Sequence, residues 1–296
     1  MKGNIHYSRG DKAYLAVNFL LLLGIGICVA YPLLYVISAS FSANVTTLGN
    51  LSLWPKNPSL EGYRAVLTYP KIWSGYYNSF LYMALGTAIN LIVTICAAYP
   101  LSRKDLIGRN AVMGLFVFTM YFSGGMIPGY LLVRDLGMLN TVWAMVIPGA
   151  MSVYNMIVMR TYFSSQIPDA LREAAELDGC GTLRFLVQIV LPLSGPILAV
   201  IGLFYAVGHW NGYFEAMIYL DSYDRYPLQI VLREILINNR VSDMSVMDPE
   251  EVYNLEQRAN LMRYSLIIVA SLPVMLLYPF VQRYFVKGLM LGAIKG

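Results

Sequence analysis

The sequence predicts an all-α membrane protein with six transmembrane helices and both termini on the cytoplasmic side. Three observations carry this. Of 296 residues, 57% are hydrophobic and only 13% charged, with a mean hydropathy of +0.56; soluble domains carry about 25% charged residues. Six apolar stretches each come near the ~20 residues that cross the hydrocarbon as a helix. The short turn 102–110 carries three Lys and Arg against one in the short turn 134–139, the bias that marks cytoplasmic segments. A soluble chain could not bury this much apolar surface, whereas lipid as solvent removes the need. The 23 Tyr suit membrane interfaces, where one end of the ring is apolar and the other wet.

The first span is expected at about 14–39. Lys2, Arg9 and Lys12 precede it, and Ser40-Phe41-Ser42-Ala43 has the small residues of a cleavage site. The run far exceeds the apolar core of a signal peptide, so an uncleaved helix is expected. The second span, about 76–101, ends at the basic turn 102–110 with Arg103, Lys104 and Arg109. The third, about 111–133, contains Ser123-Gly124-Gly125-Met126-Ile127-Pro128-Gly129. A regular helix does not run unchanged through that segment. It is either backbone lining a cavity or a kink packed on a neighbour. The fourth, fifth and sixth spans are expected at about 140–160, 195–219 and 261–282.

This topology places loops 40–75 and 220–260 outside, and loop 161–194 and tail 283–296 inside. Twelve of the 21 Lys and Arg then fall inside with six acids, against nine with eleven acids outside. Cys28, Cys96 and Cys180 have no metal-site or disulfide spacing. The net charge of +4 is ordinary for a membrane protein, and no nucleic acid is expected as a partner.

Within the inner loop, Pro168-Asp169 can start a short helix, with Asp favourable at its positive end. Ala170, Ala174 and Leu177 share one face, and Arg172, Glu173 and Glu176 lie on more polar ones. Gly179 suits a left-handed helix cap. Thr182 can cap a second helix with the stripe Leu183, Leu186, Val187 and Val190, ended by Pro192 and Pro196. The loop therefore reads as helix, glycine turn, helix. Two alanines beside a carboxylate offer a partner a close approach and an orienting charge.

Span five carries Gly208-His209-Trp210-Asn211-Gly212-Tyr213-Phe214-Glu215. Polar groups so deep are functional candidates. At ~1.5 Å per residue His209 lies roughly 20 Å along the helix from Pro196, toward the outer side. His209 pairs with Tyr213, and Asn211 with Glu215, at i, i+4. Aromatic faces and planar hydrogen-bonding groups are what a sugar site needs, so His209, Trp210, Asn211, Tyr213 and Glu215 are substrate candidates, joined by Tyr121, Tyr154 and Asn155. The alternative is packing between helices. Loop 220–260, with Asp221, Asp224, Arg225, Arg233, Glu234, Arg240, Asp248, Glu250 and Glu251, is either a docking surface or a solvated connection.

Glu173-Ala174-Ala175, Gly179 and Ile189-Val190-Leu191-Pro192 match the pattern E-A-A-x3-G-x9-I-x-L-P at every fixed position. On these residues the chain resembles the permeases of binding-protein-dependent ATP-binding-cassette (ABC) importers. Asn78-Ser79-Phe80, Ala97 to Arg103, Gly181 to Phe185 and the tail Val286 to Gly296 are similar to the MalG-related carbohydrate group. Tyr7 to Asp11, Phe122 to Gly125 and Tyr205 to Asn211 resemble its LplC/YtcP-type subfamily. The resemblance implies the type I ABC importer permease fold, with cytoplasmic coupling helices, in the bacterial cytoplasmic membrane. It implies a second homologous permease, two ATPase subunits that bind ATP and Mg, an extracellular binding protein and an oligosaccharide substrate, including acidic ones of the alginate or aldouronate kind. By it, Glu173, Ala174, Ala175, Asp178, Gly179, Ile189, Leu191 and Pro192 couple to the ATPase, and tail residues Lys287, Gly288, Gly292 and Lys295 reach toward it.

The chain has no Gly-x-x-x-x-Gly-Lys-[Ser/Thr] of its own. A secondary transporter or channel is the alternative, but only Glu215 could serve as its intramembrane acid. With His6 and His209 as the two histidines and no His-Glu-x-x-His or Gly-x-Ser-x-Gly, a membrane enzyme is disfavoured.

Overall fold

The computed structural model describes residues 8–42, 54–55, 57–238, 262–277, 279 and 282. Its helices are α1 (Arg9–Ser40), α2 (Glu61–Thr68), α3 (Pro70–Ser102), α4 (Arg109–Tyr121), α5 (Met126–Asp135), α6 (Val142–Val146), α7 (Val153–Gln166), α8 (Asp169–Leu177) and α9 (Thr182–Phe185). A π segment (Leu186–Val190) leads to α10 (Leu191–Leu193), α11 (Gly195–Asn211), α12 (Phe214–Tyr219), a 3-10 turn (Tyr223–Arg225) and α13 (Leu228–Asn238). Then comes α14 (Met262–Leu277). No strand occurs among the described residues beyond an isolated bridge between Ser42 and Pro58. Helices α1 and α3 are each long and apolar enough to cross a membrane. Two bent pairs qualify together: α4 with α5, bent by 109°, and Thr182–Leu193 with α11, bent by 84°.

The chain divides into two compact units, one of Met1–Tyr69 and Glu234–Ala270, the other of Pro70–Arg233 and Ser271–Gly296. In the first, Ser8 and Asp11 form a capping box, Ser8 Oγ accepting from the Asp11 amide at 3.2 Å and Asp11 Oδ2 from the Ser8 amide at 2.9 Å. Apolar side chains stay exposed along most of α1. Only Ser38, Ala39 and Ser40 are buried, where Ser40 Oγ meets Tyr63 Oη at 2.7 Å and the Ser40 carbonyl accepts from Ser265 Oγ at 3.2 Å.

The second unit is organised on α3, an unbroken helix of 33 residues. Its inner half packs with α7, α9 and α11 through Ala98, Tyr99, Met156, Phe163, Phe185 and Ile201. Its outer half contributes Tyr82 to a core with Met145, Val146, Ala216, Leu220 and Ile230. At one crossing, a Cβ added to Gly86 would lie 2.3 Å from Nε2 of His209. The imidazole therefore occupies the notch left by the missing side chain.

Several expected helices differ in detail. The helix expected from 76 begins at Pro70. The one expected over 111–133 breaks between Tyr121 and Met126, with Gly125 at φ +87. The one over 140–160 is two helices, because Pro148-Gly149 interrupts it with Gly149 at φ +71. The Ser152 amide that this interruption leaves outside a helix donates to Tyr205 Oη at 3.1 Å, and that hydroxyl also shares a 2.6 Å bond with Thr94 Oγ1. Buried backbone is thus satisfied by a side chain.

Filling the Gly86 notch overpacks the α3–α11 crossing, which typically costs about 1–3 kcal/mol. Gly86→Ala is expected to lower the melting temperature in detergent, and Gly86→Ala/His209→Ala to recover part of that loss. A double variant no more stable than Gly86→Ala alone would show that the imidazole is not what the methyl meets.

Candidate functional site

The inner loop folds as a hairpin of short helices. Asp169 opens α8 and Gly179 closes it at φ +72. The Gly179 amide donates to the Glu176 carbonyl at 3.0 Å and the Cys180 amide to that of Ala175 at 2.9 Å, which is the Schellman arrangement that favours glycine here. The second helix starts at Thr182 with Gly181 at its cap, so Thr182 is not the cap its sequence position suggests. Its hydroxyl instead lies 3.5 Å from Nη1 of Arg103. The helix then passes through the π segment and α10 to a bend at Ser194. Pro192 lies inside α10 and Pro196 inside α11, so neither ends a helix: each sits in a first turn, where its missing amide hydrogen is tolerated.

The two alanines of Glu173-Ala174-Ala175 differ in burial. Ala175 is buried in the inner core beside Phe163 and Phe185, which removes it from the contact face expected of it. Glu173, Ala170 and Ala174 are exposed, and Leu177 is 90% exposed. Among the described residues Glu173 has no ion-pair partner. Asp178 and Gly179 are exposed, Ile189 and Leu191 half-buried, and Pro192 exposed.

Charges around the hairpin clamp it to the turn after α3. Arg103 binds Asp105 bidentately, Nε to Oδ1 at 2.9 Å and Nη2 to Oδ2 at 2.5 Å. Arg172 reaches Asp105 and Glu176 at 3.4 Å each, and Arg103 reaches Glu176 at 3.8 Å. Lys104 pairs with Asp169 at 2.8 Å. The Arg103 hydrogen bond holds the Asp105 carboxyl down at about 2, and Lys104 lowers that of Asp169. Lowered carboxylates keep their favourable contribution above the ordinary carboxylate range and lose it only as pH falls through the depressed value. Asp105 and Asp169 therefore stay charged near neutral pH. Asp105 carries no periodic signal for this role; an acid two residues after Arg103, at the end of the helix, is the local sign of it.

The candidates of span five separate. Trp210 is only 1% exposed, packed against Tyr76 and Phe80 with ring centroids 5.9 and 5.2 Å away. It is an anchor of packing and not an open aromatic platform. Asn155, 7% exposed, is buried in the first turn of α7. His209 is half-buried, and its Nε2 has no hydrogen-bond partner among the described residues. The expected i, i+4 pairings with Tyr213 and Glu215 lapse because α11 ends at Asn211 and Gly212 is extended. Asn211, Tyr213, Glu215, Tyr121 and Tyr154 are exposed.

At the outer end of α3, segment 219–228 is pinned by side chains that donate to or accept from its backbone. Asn78 Nδ2 donates to the carbonyls of Asp224 and Tyr226 at 2.7 and 3.1 Å, and Tyr82 Oη to that of Arg225 at 2.7 Å. Ser79 Oγ accepts from the Leu228 amide at 2.9 Å. Asn140, at φ +55, donates through Nδ2 to Ser222 Oγ at 2.7 Å and through its amide to the Tyr219 carbonyl at 2.7 Å. Asp221, Asp224, Arg225 and Arg233 stay exposed, while Glu234 belongs to the other unit. Arg240, Asp248, Glu250 and Glu251 lie outside the described residues, as do Lys287, Gly288, Gly292 and Lys295 of the tail.

A family described as "Binding-protein-dependent transport system inner membrane component" matches residues 72–291. Protein LplC of Bacillus subtilis (strain 168) is 36% identical over 293 residues, covering 99% of this chain and 98% of that protein. From the same organism, the polygalacturonan/rhamnogalacturonan transport system permease protein YtcP is 40% identical over 290 residues, covering 95% and 97%. A chain from the crystal structure of a bacterial ABC transporter involved in the import of the acidic polysaccharide alginate superposes with a TM-score of 0.85 at 35% identity, covering 95% of this chain and 99% of its own.

Burial separates the two aromatic candidates by experiment. Trp210→Ala removes a buried indole and is expected to destabilise by about 3–5 kcal/mol. Tyr213→Ala, at an exposed position, is expected within about 0.5 kcal/mol of wild type. Denaturant or thermal unfolding in detergent measures both; equal losses would contradict the burial difference.

Proposed function

The chain belongs to the family of binding-protein-dependent transport system inner membrane components, and from that premise we propose that it forms half of the pore of an ATP-driven oligosaccharide importer. Its partners in this reading are a second homologous permease, two ATPase subunits that bind ATP and Mg, and an extracellular binding protein. The chain itself is a non-catalytic transport component, as its relatives are.

The observation that carries the coupling role is the outward face of α8. A surface of Glu173, Ala170, Ala174 and Leu177 is left exposed on a helix whose other face, through Ala175, is fixed in the core. Small residues permit a close approach, Leu177 offers apolar area, and Glu173 offers an orienting charge. The ATPase binds this face, and its motion passes through Gly179 and the second short helix into α11.

Acidic saccharides are the substrate class that the relatives favour. The polygalacturonan/rhamnogalacturonan permease and the alginate transporter both carry names that denote uronic-acid polymers. Asn211, Tyr213, Tyr121 and Tyr154, exposed in this chain, are the groups available for sugar hydroxyls and ring faces. The outer segment 219–228, rigid on α3, is the surface offered to the binding protein.

Reconstituted with its partners, the complex is expected to take up oligogalacturonate or oligoalginate in an ATP-dependent way. Glu173→Arg is expected to cut uptake and binding-protein-stimulated ATP hydrolysis by roughly tenfold or more while the chain still inserts. Wild-type rates in Glu173→Arg would remove the coupling role from this face. Uptake by the chain without ATPase subunits, driven by an ion gradient, would instead support a secondary transporter.

A further inference from the structure

Beside its core packing through Ala175 and Phe185 and the Lys104–Asp169 pair, the hairpin is joined to the rest of the second unit by two further routes. One runs along the chain from α8 through α9, the π segment and α10 into α11. It crosses a π segment and an 84° bend at Ser194, whose fully buried Oγ lacks a hydrogen-bond partner among the described residues. π-bulges interrupt the regular helical ladder and often mark functional adjustments. The other connection leaves α8 through Arg172 and Glu176, crosses to Arg103 and Asp105, and enters α3 at its inner end. Carbonyls at that end are held as well: Leu101 accepts from Arg160 Nε at 2.9 Å, Ser102 from Ser164 Oγ at 3.1 Å and Arg103 from Arg109 Nη1 at 3.3 Å. From there α3, with Pro100 in its last turn, runs about 35 Å from Ser102 to Asn78 at ~1.5 Å per residue, to the Asn78, Ser79 and Tyr82 contacts that pin segment 219–228.

We propose that α3 is a second transmission element: the four-charge clamp of Arg103, Asp105, Arg172 and Glu176 moves the inner end of α3 with α8, and Asn78, Ser79 and Tyr82 carry that motion to the outer segment. This rests on the coupling role of α8 proposed above. The four side chains are positioning residues, distinct from Glu173, which is exposed and has no ion-pair partner among the described residues. An isolated surface ion pair contributes little to stability. A bidentate Arg–carboxylate pair shared with a second Arg and a second acid restrains geometry as well as charge. Arg103 and Arg172 are only 19% and 22% exposed as side chains, while Asp105 and Glu176 are 48% and 54% exposed, so water screens the clamp only in part. Its use is to keep two helices in register under load.

Charge exchange isolates the clamp. Arg103→Asp/Asp105→Arg keeps the pair within the turn but sets like charges against Arg172 and Glu176. Arg172→Glu/Glu176→Arg keeps the pair within α8 but sets like charges against Arg103 and Asp105. Combining all four restores every attraction with its sign reversed. In the reconstituted complex with binding protein, each double exchange is expected to lower uptake per ATP hydrolysed by roughly tenfold, with the ATPase subunits still co-purifying. The fourfold variant is expected to return to within about threefold of wild type. Wild-type uptake per ATP in both double exchanges would overturn the proposal and leave the coupling role of Glu173 standing. Loss in the doubles without recovery in the fourfold variant would also overturn it, since the pairing across elements would not be the cause. Failure of the underlying coupling role would show separately, as ATPase subunits that never associate with the wild-type chain.

Discussion

A peptide group that cannot hydrogen-bond within its own helix has no water to turn to in hydrocarbon, and the second unit is organised around that constraint. Helix α3 meets it along its 33 residues except at Pro100 in its last turn, which has no amide hydrogen to donate. Its neighbours break and are repaired from it or from α11. The Ser152 amide is taken up by Tyr205, itself bonded to Thr94 of α3. The carbonyls of Asp224, Arg225 and Tyr226 are taken up by Asn78 and Tyr82. Polar residues placed along an apolar helix therefore act as backbone surrogates for the irregular segments beside it. That role explains why Asn78, Ser79 and Thr94 are buried in a span that hydropathy alone would fill with Leu and Val.

The same rule shapes the hairpin at the inner end. It lies at a polar surface, so its helices end on glycines and charges, and its apolar residues must choose a side. Ala175 goes into the core and Ala174 stays outside. A larger side chain at 175 would push α8 away from Phe163 and Phe185. The alanine pair is thus two demands in sequence neighbours: one methyl for close packing on the chain's own core, the other for close approach by a partner.

Much of this was legible in the sequence, for reasons of range. Hydropathy located the apolar helices, since burial in lipid needs no knowledge of neighbours. Gly179 was readable as a left-handed cap because the helix end and its glycine are local. Pro148-Gly149 carried the interruption of the 140–160 segment in plain sight, and only the length of the apolar stretch hid it. What could not be read depends on tertiary contact. Trp210 looks like an open aromatic platform until Tyr76 and Phe80 arrive from 130 or more positions earlier in the chain. The i, i+4 pairing of His209 with Tyr213 assumed a helix that Gly212 ends. The clamp joins residues about 70 positions apart, as Arg172 to Asp105 shows with a separation of 67, and no periodicity encodes that.

The break between α4 and α5 carries the same physics to the open side of the protein. Phe122 to Gly125 are exposed, with Gly125 at φ +87, and the flanking helices meet at 109°. Within a span, such backbone persists only against protein or a water-filled cavity. Lipid is therefore excluded as the neighbour of this backbone, which calls for protein or a water-filled path beside it. Tyr121 sits directly beside the break and is 79% exposed. A phenol there presents an aromatic face and a hydroxyl to whichever of the two covers it, and both a helix partner and a passing sugar can use that pair of groups. Trp210 of span five is given over to packing, whereas the aromatic group beside this broken helix stays open.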